Sequence, residues 1–364
     1  MGGARSAVAV AVCVVTTVAT ACTVHEPTPQ DPRPVRVDVQ AEVDPFPEDQ
    51  WQSSSYVIAG DQLSLLVDKE NGRVSRIAHA DGHVTSAPHL PSGLEPYDGA
   101  AIGEDFYVFG QTCPYDCGGT LVRWRPGDEH WIDVPVHESF RLLDSAVDTG
   151  VANGRFYMAT GNGGAAPAMY VLDDRDDSWH PVAQPQGLNG GNASICSTGG
   201  EVYRFFGFGS PGDSATPPGP TVSERKVWAL RADDDWDEIE VPELGAFAAG
   251  LPAQDTLCTG GSLLLALAAD GTTIRVRRDD EGELVQDTVA LPEFERPSDR
   301  AFPAAAMSKP DGSIFGGPDA TETAPWQPPA DSHLLSSDQR DGNLTALVAT
   351  PDGVQVWIWP VGSD

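Results

Sequence analysis

Between Ala152 and Pro181 the apolar and polar positions follow a pattern that recurs along the chain. An Asn153-Gly154 turn is followed by Phe156-Tyr157-Met158-Ala159-Thr160, whose aromatic and β-favouring content reads as a strand. A glycine loop separates it from a second apolar run, Met169-Tyr170-Val171-Leu172. An acidic turn, Asp173 to Asp177, then leads into Trp179 and a third short strand. Asn-Gly and Asp-Gly supply the positive φ angles that a two-residue hairpin needs, so the first apolar residue after each such turn marks a strand.

The markers are Leu63, Phe106, Phe156, Val202, Leu263, Ile314 and Gln355. They lie roughly 50 residues apart, a period that points to propellers or solenoids. The aromatic ladder repeats with them: Trp124 precedes Trp131, Tyr170 precedes Trp179 and Trp228 precedes Trp236, each across a polar turn. In the next copy Val276 leads through Asp279 to Gly282 into Leu284. Each copy therefore holds four short strands, and four-stranded sheets repeated radially make a β-propeller. The expected fold is all-β, with seven blades preferred over six. Pairing of the last copy with Val35–Trp51 would close the ring and remove its free edges.

The order of apolar strand, glycines, aromatic strand, acidic turn and Trp resembles the kelch repeat and, more distantly, the galactose-oxidase-type propellers, over about residues 95–290. The kelch di-glycine stands intact at Gly316-Gly317 and is approximated at Gly110, Gly163-Gly164 and Gly207-Phe208-Gly209. After Gly317 the sixth copy dissolves into Pro-, Ala- and Asp-rich sequence around Trp326.

The N-terminus changes the picture from fold to address. An apolar run, Ala7 to Ala19, is too short for a lasting membrane span. It ends Ala19-Thr20-Ala21-Cys22, which looks like a bacterial lipobox; ordinary signal cleavage after Ala21 is the alternative. The polar, proline-rich Thr23 to Pro34 reads as a tether, which favours lipidation of Cys22. The expected layout is a signal peptide over 1–21, a lipidated Cys, tether and closing strand over 22–50, and the propeller over 51–364. Its expected place is the outer face of the cell membrane, held by lipid only, or free secretion in the alternative reading.

With 54 acidic and 22 basic residues the formal charge is −32. Nucleic-acid backbones and anionic lipid would be repelled by such a chain. Outside the leader, four cysteines remain after Cys22. Cys113 and Cys117 bracket Pro-Tyr-Asp, and a local disulfide is the expectation. Cys196 and Cys258 hold matching places on neighbouring innermost strands, and a bridge or two buried thiols fit equally.

Motifs with catalytic spelling fail on context. Gly207-Phe-Gly209-Ser-Pro-Gly212 fits G-x-G-x-x-G, but the following Asp-Ser-Ala-Thr-Pro-Pro cannot open a helix to receive a pyrophosphate. The acidic turns lack the glycine and distal Glu of a calcium loop and read as solvated turns. His130 and His180 sit beside outer-strand tryptophans and only His137 lies in a face loop, so a copper-radical centre is unsupported. No metal and no cofactor are expected.

What remains is loop-borne recognition. One face should gather the loop with Cys113, Tyr115 and Cys117 and the proline-rich loop from Ser210 to Ser223. Topology nominates Tyr97, Tyr115, Arg141, Asn189, Phe247 and Arg300 as partner-binding residues. The first reading is a monomeric, non-enzymatic binding or scaffold domain for an envelope polymer, a peptide or an exported protein. The alternative is a carbohydrate-active enzyme with carboxylates such as Glu95, Asp98 or Glu138 at the channel mouth, which requires two at a fixed separation.

Overall fold

The computed structural model describes residues 35–36, 55–69, 71–112, 118–140, 147–160, 168–185, 193–198, 200–206, 226–240, 256–259, 261–266, 272–279, 281–290, 306–308, 314–316, 329–330, 332–340 and 343–360. All lie in one unit, Pro32–Asp364. The hairpins predicted at Gly and Asp/Asn turns are present, with Asn153 at φ 50° and Gly154 at φ 69°. Five sheets follow the chain directly. They are β2 (Ser55–Ala59) to β5 (Val84–Ser86) through β3 (Leu63–Asp68) and β4 (Val74–Ala78), then β6 (Glu95–Ile102), β7 (Asp105–Gln111), β8 (Gly119–Trp124) and β9 (Ile132–Val134). Next come β10 (Val147–Ala152), β11 (Arg155–Thr160), β12 (Ala168–Asp173) and β13 (Ser178–Pro181), followed by β14 (Ala193–Thr198), β15 (Glu201–Phe206), β16 (Lys226–Leu230) and β17 (Trp236–Ile239). The fifth holds β18 (Thr256–Thr259), β19 (Ser262–Ala266), β20 (Thr272–Arg278) and β21 (Leu284–Ala290).

The remaining strands correct the expected blade number. β22 (Ala306–Ser308) and β23 (Ile314–Gly316) form a two-stranded ladder, whereas β24 (His333–Arg340), β25 (Asn343–Thr350) and β26 (Gly353–Pro360) make a sheet whose fourth member is β1 (Val35–Arg36). Among the described residues the four-stranded blades number six, not seven. The marker at Gln355 falls on β26, and the inner hairpin of that sheet lies instead between Arg340 and Asn343. Only about 30 residues separate Ile314 from Leu344, well below the period of a full copy. Prolines at 318, 325, 328 and 329 also have no N–H to give to a ladder. β1 pairs antiparallel with β26, Val35 opposite Val356 and Arg36 opposite Gln355.

The core lies between sheets, because each of the first four blades buries both faces against its neighbours. Phe106, Val108 and Trp124 of the second sheet pack with Ile58 and Leu65 of the first. Phe156 and Met158 pack with Tyr107 and Phe109, and Val202 and Ile195 with Tyr157 and Val171. Leu347 and Val356 join Val57 and Leu66 of the first sheet.

The tryptophans of the repeat have a second task. Trp131 Nε1 donates to Pro88 O at 2.8 Å, Trp179 Nε1 to Pro135 O at 2.6 Å and Trp236 Nε1 to Ala183 O at 2.6 Å. Each acceptor lies just past the outer strand of the preceding blade, so one indole latches one blade to the next. Trp179→Phe keeps a benzene ring and deletes the pyrrole with its donor; a loss of at least about 1 kcal/mol is expected from urea-denaturation midpoints.

Candidate functional site

The innermost strands carry carboxylates and hydroxyls that reach across to a neighbouring blade's backbone. Asp98 Oδ2 accepts Thr149 N and Thr149 Oγ1, both at 2.9 Å, while Oδ1 accepts Gly99 N at 2.8 Å. Asp148 Oδ2 accepts Ile195 N at 3.1 Å. These two aspartates occupy the same place in their copies, eight residues before Phe106 and Phe156. Between β24 and β2, Asp338 Oδ2 accepts Ala59 N at 2.7 Å and Ser336 Oγ accepts Val57 N at 3.4 Å. Ser197 Oγ accepts Val151 N, and Thr198 Oγ1 accepts Gly261 N. A carboxylate bonded to backbone N–H groups in this way is a clasp.

This changes the standing of Asp98, which the sequence nominated as a carboxylate for chemistry. Both its oxygens are engaged in backbone bonds, which opposes a role in proton transfer. Strand approach is close here as well, because a Cβ at Gly99 would stand 2.7 Å from Tyr107 O.

Two groups on the inner strands and their neighbours are electrostatically unusual. Asp338 is partly buried; its burial, with some help from the Asp98 charge, pushes its carboxyl up to about 7, against the pull of the Ala59 and Gln339 N–H groups and Arg340. Arg204 on β15 is fully buried, and burial lowers its guanidinium to about 10 despite Asp148 nearby. Its Nη2 reaches Thr160 O at 3.5 Å.

At the end of the blades where β6 begins, the structure places several nominated residues. A bulge between Pro96 and Asp98 sets Tyr97 out of regular register. Its ring packs at the edge of the core between the second and third sheets. Burial raises the Tyr97 phenol, Glu95 adds to the rise, and a hydrogen bond with Gln111 opposes it. Glu95 is exposed beside it, opposite Gln111 in register. Gly110 must be glycine in this geometry, since a Cβ would collide with Glu95 O.

The segment after β9 is pinned in place. His137 stacks on Tyr170 with ring centroids 3.9 Å apart, Ser139 Oγ lies 3.1 Å from Tyr170 Oη, and Phe140 is buried beneath. Glu138 therefore projects, exposed, from a fixed turn. Tyr97, Glu95 and Glu138 are placed by described residues. Cys22, Cys113, Tyr115, Cys117, Arg141, Asn189, Phe247 and Arg300 lie outside the described residues.

Cys196 and Cys258 form a disulfide across β14 and β18, with Cα atoms 6.3 Å apart. The acidic turns also acquire a role that their solvated character did not announce. Asp177 and Asp234, at φ 56° and 62°, receive Arg123 and Arg155 of the preceding blade at 3.4 and 2.7 Å. Both aspartates stand two residues before a latching Trp, a repeat visible in the sequence whose arginine partners were not.

No protein-family model and no curated protein matches the chain. Among solved structures, a chain of a mitotic checkpoint complex superposes with a TM-score of 0.50 at 12% identity, covering 97% of this chain and 99% of that one. YCF48 from Cyanidioschyzon merolae gives 0.47 at 11% identity, covering 87% and 97%. A putative TolB from Agrobacterium tumefaciens gives 0.40 at 12%, covering 65% and 80%. At such identities likeness bears on fold alone, and the first agrees with the propeller.

Proposed function

We propose that this chain is an exported binding or scaffold propeller of the kelch type, anchored at the membrane through Cys22 and closed as a ring where β1 meets β26. Recognition of an envelope polymer, a peptide or another exported protein falls to the loop face around Glu95, Tyr97 and Glu138. The observation that carries this reading is the use made of the inner-strand carboxylates. Asp98, Asp148 and Asp338 are engaged in clasping blades, as a rigid display scaffold requires and a hydrolytic channel does not. Loops held on such a scaffold are where binding concentrates.

Cys22→Ala tests the anchor. In the native host, the parent chain should partition into the detergent phase and the variant into the aqueous phase, because two acyl chains hold a protein stably and a cleaved leader does not. Equal partitioning of the two would refute lipid anchoring. Tyr97→Ala combined with Glu138→Lys tests the face. Cross-linked partners recovered from intact cells with the parent should disappear with the variant while its unfolding midpoint stays unchanged. Undiminished cross-linking would remove this face from recognition.

A further inference from the structure

We propose that the outer edge of β21 is a docking site for an extended, basic segment of a partner protein, which adds to the sheet β18–β21 as a fifth strand. This surface is separate from the loop face and stands or falls independently of it.

The outermost strands of the other four-stranded sheets are short: two residues in β1, three in β5 and β9, four in β13 and β17. Short edges are one way in which sheets avoid foreign pairing. β21 runs for seven residues, Leu284-Val-Gln-Asp-Thr-Val-Ala290, with no proline and with unbroken register against β20. Gln286, Asp287 and Thr288 are all exposed, so solvent reaches both faces at the middle of the strand. Leu284 occupies the place where Trp131, Trp179 and Trp236 latch their blades, and it packs into the core between the fourth and fifth sheets. Among the described residues nothing pairs with the outer side of β21. A long, regular edge offers a row of N–H and C=O groups to an incoming strand.

The charge selects the occupant. Glu281 and Glu283 are exposed at the start of the edge, and the Asp287 side chain is 46% exposed at its centre. Arg275 bonds both Asp287 oxygens, with Nε 2.9 Å from Oδ1 and Nη2 on Oδ2, and holds the carboxyl below the usual carboxylate range, so the centre is an ion pair whose acidic member faces solvent while Arg275 lies beneath. A second copy aligned antiparallel so that Val285 faces Val289 would set Asp287 against Asp287. Like charges directly opposite are destabilising. A strand with apolar residues at its ends and Arg or Lys between them meets the same edge without that conflict.

The probe is a labelled peptide, Ala-Val-Gln-Arg-Thr-Val-Leu, titrated against the full chain by fluorescence anisotropy, with an Arg→Glu peptide as control. Saturable binding near ~100 μM is expected, with the control about tenfold weaker or worse. In Asp287→Lys the preference should reverse toward the Glu peptide, which also shows that the edge is still folded. No saturation by about 1 mM, equal binding of both peptides, or an unchanged preference in Asp287→Lys would overturn the proposal. Concentration-dependent self-association of the parent that Asp287→Lys abolishes would assign the edge to a second copy, and would equally overturn it.

Discussion

The double variant Cys196→Ala/Cys258→Ala is expected to lose about 4 kcal/mol of stability, the chain-entropy value for a loop of this size. The bridge joins strands 62 residues apart in sequence, on the innermost strands of two consecutive blades. Both cysteines are buried in the apolar cluster that contains Tyr203, Val227, Leu263 and Val276. Alanine leaves little there to strain, so most of the loss should come from a freer unfolded chain. Urea denaturation of the oxidised parent, the reduced parent and the variant separates the contributions. The reduced parent and the variant should unfold at similar midpoints, both well below the oxidised parent. Three coincident midpoints would mean that the two thiols serve only as packing.

The second large effect is a pH dependence centred on Asp338. Burial raises its folded-state value to about 7, whereas an unfolded aspartate titrates near 3.8. A raised carboxyl makes the folded state the better proton binder. Its contribution to stability is therefore complete below pH 4, falls as pH rises from about 4 to about 7, and is gone above that. The shift corresponds to at most about 4 kcal/mol across the window, less where solvent reaches the partly buried carboxyl. Asp338→Asn cannot titrate, so the difference in stability between variant and parent should move in favour of the variant by up to this amount between pH 4.5 and pH 8. His79, which burial lowers and which lies 2.9 Å from Ser64 Oγ, has the opposite slope as pH falls. It is common to both proteins and cancels in the difference. A difference that is flat with pH would show that Asp338 is ionised throughout and its surroundings more open than the packing of β24 against β2 implies.

The sequence carried the hairpins well. Turn chemistry is local, and glycine or asparagine at positive φ leaves a mark at the inner hairpins of Gly103, Asn153-Gly154, Gly200 and Gly261. It misplaced the last marker because Asp352-Gly353 and Asp341-Gly342 have the same turn chemistry, and only register distinguishes an inner hairpin from an outer one. Four-stranded blade number went wrong for the same reason: period counts hairpins and does not show how many strands follow each of them.

The candidate site was less legible. Asp98 and Asp148 could be aligned from their equal distance to Phe106 and Phe156, yet their partners are backbone N–H groups of a neighbouring blade, which have no sequence identity. Asp338 breaks the alignment, since it stands two residues before the end of its strand's pairing at Arg340, whereas Asp98 and Asp148 stand four residues before Ile102 and Ala152. Arg123 and Arg155 sit on different strands of their blades, so no fixed spacing joins them to Asp177 and Asp234. Long-range electrostatic partners of this kind follow from packing and not from periodicity.

Hydrogen exchange at single amides tests most directly whether the inner carboxylates are clasps. The amides of Ala59, Thr149 and Ile195, which donate to Asp338, Asp98 and Asp148, should exchange only with global unfolding, as slowly as the central hairpin amides of β11 and β15. Asp98→Ala should release Thr149 while leaving Ile195 protected. Fast exchange at all three amides in the parent protein, beside protected hairpins, would show the carboxylates free of the backbone and would return Asp98 to candidacy for chemistry.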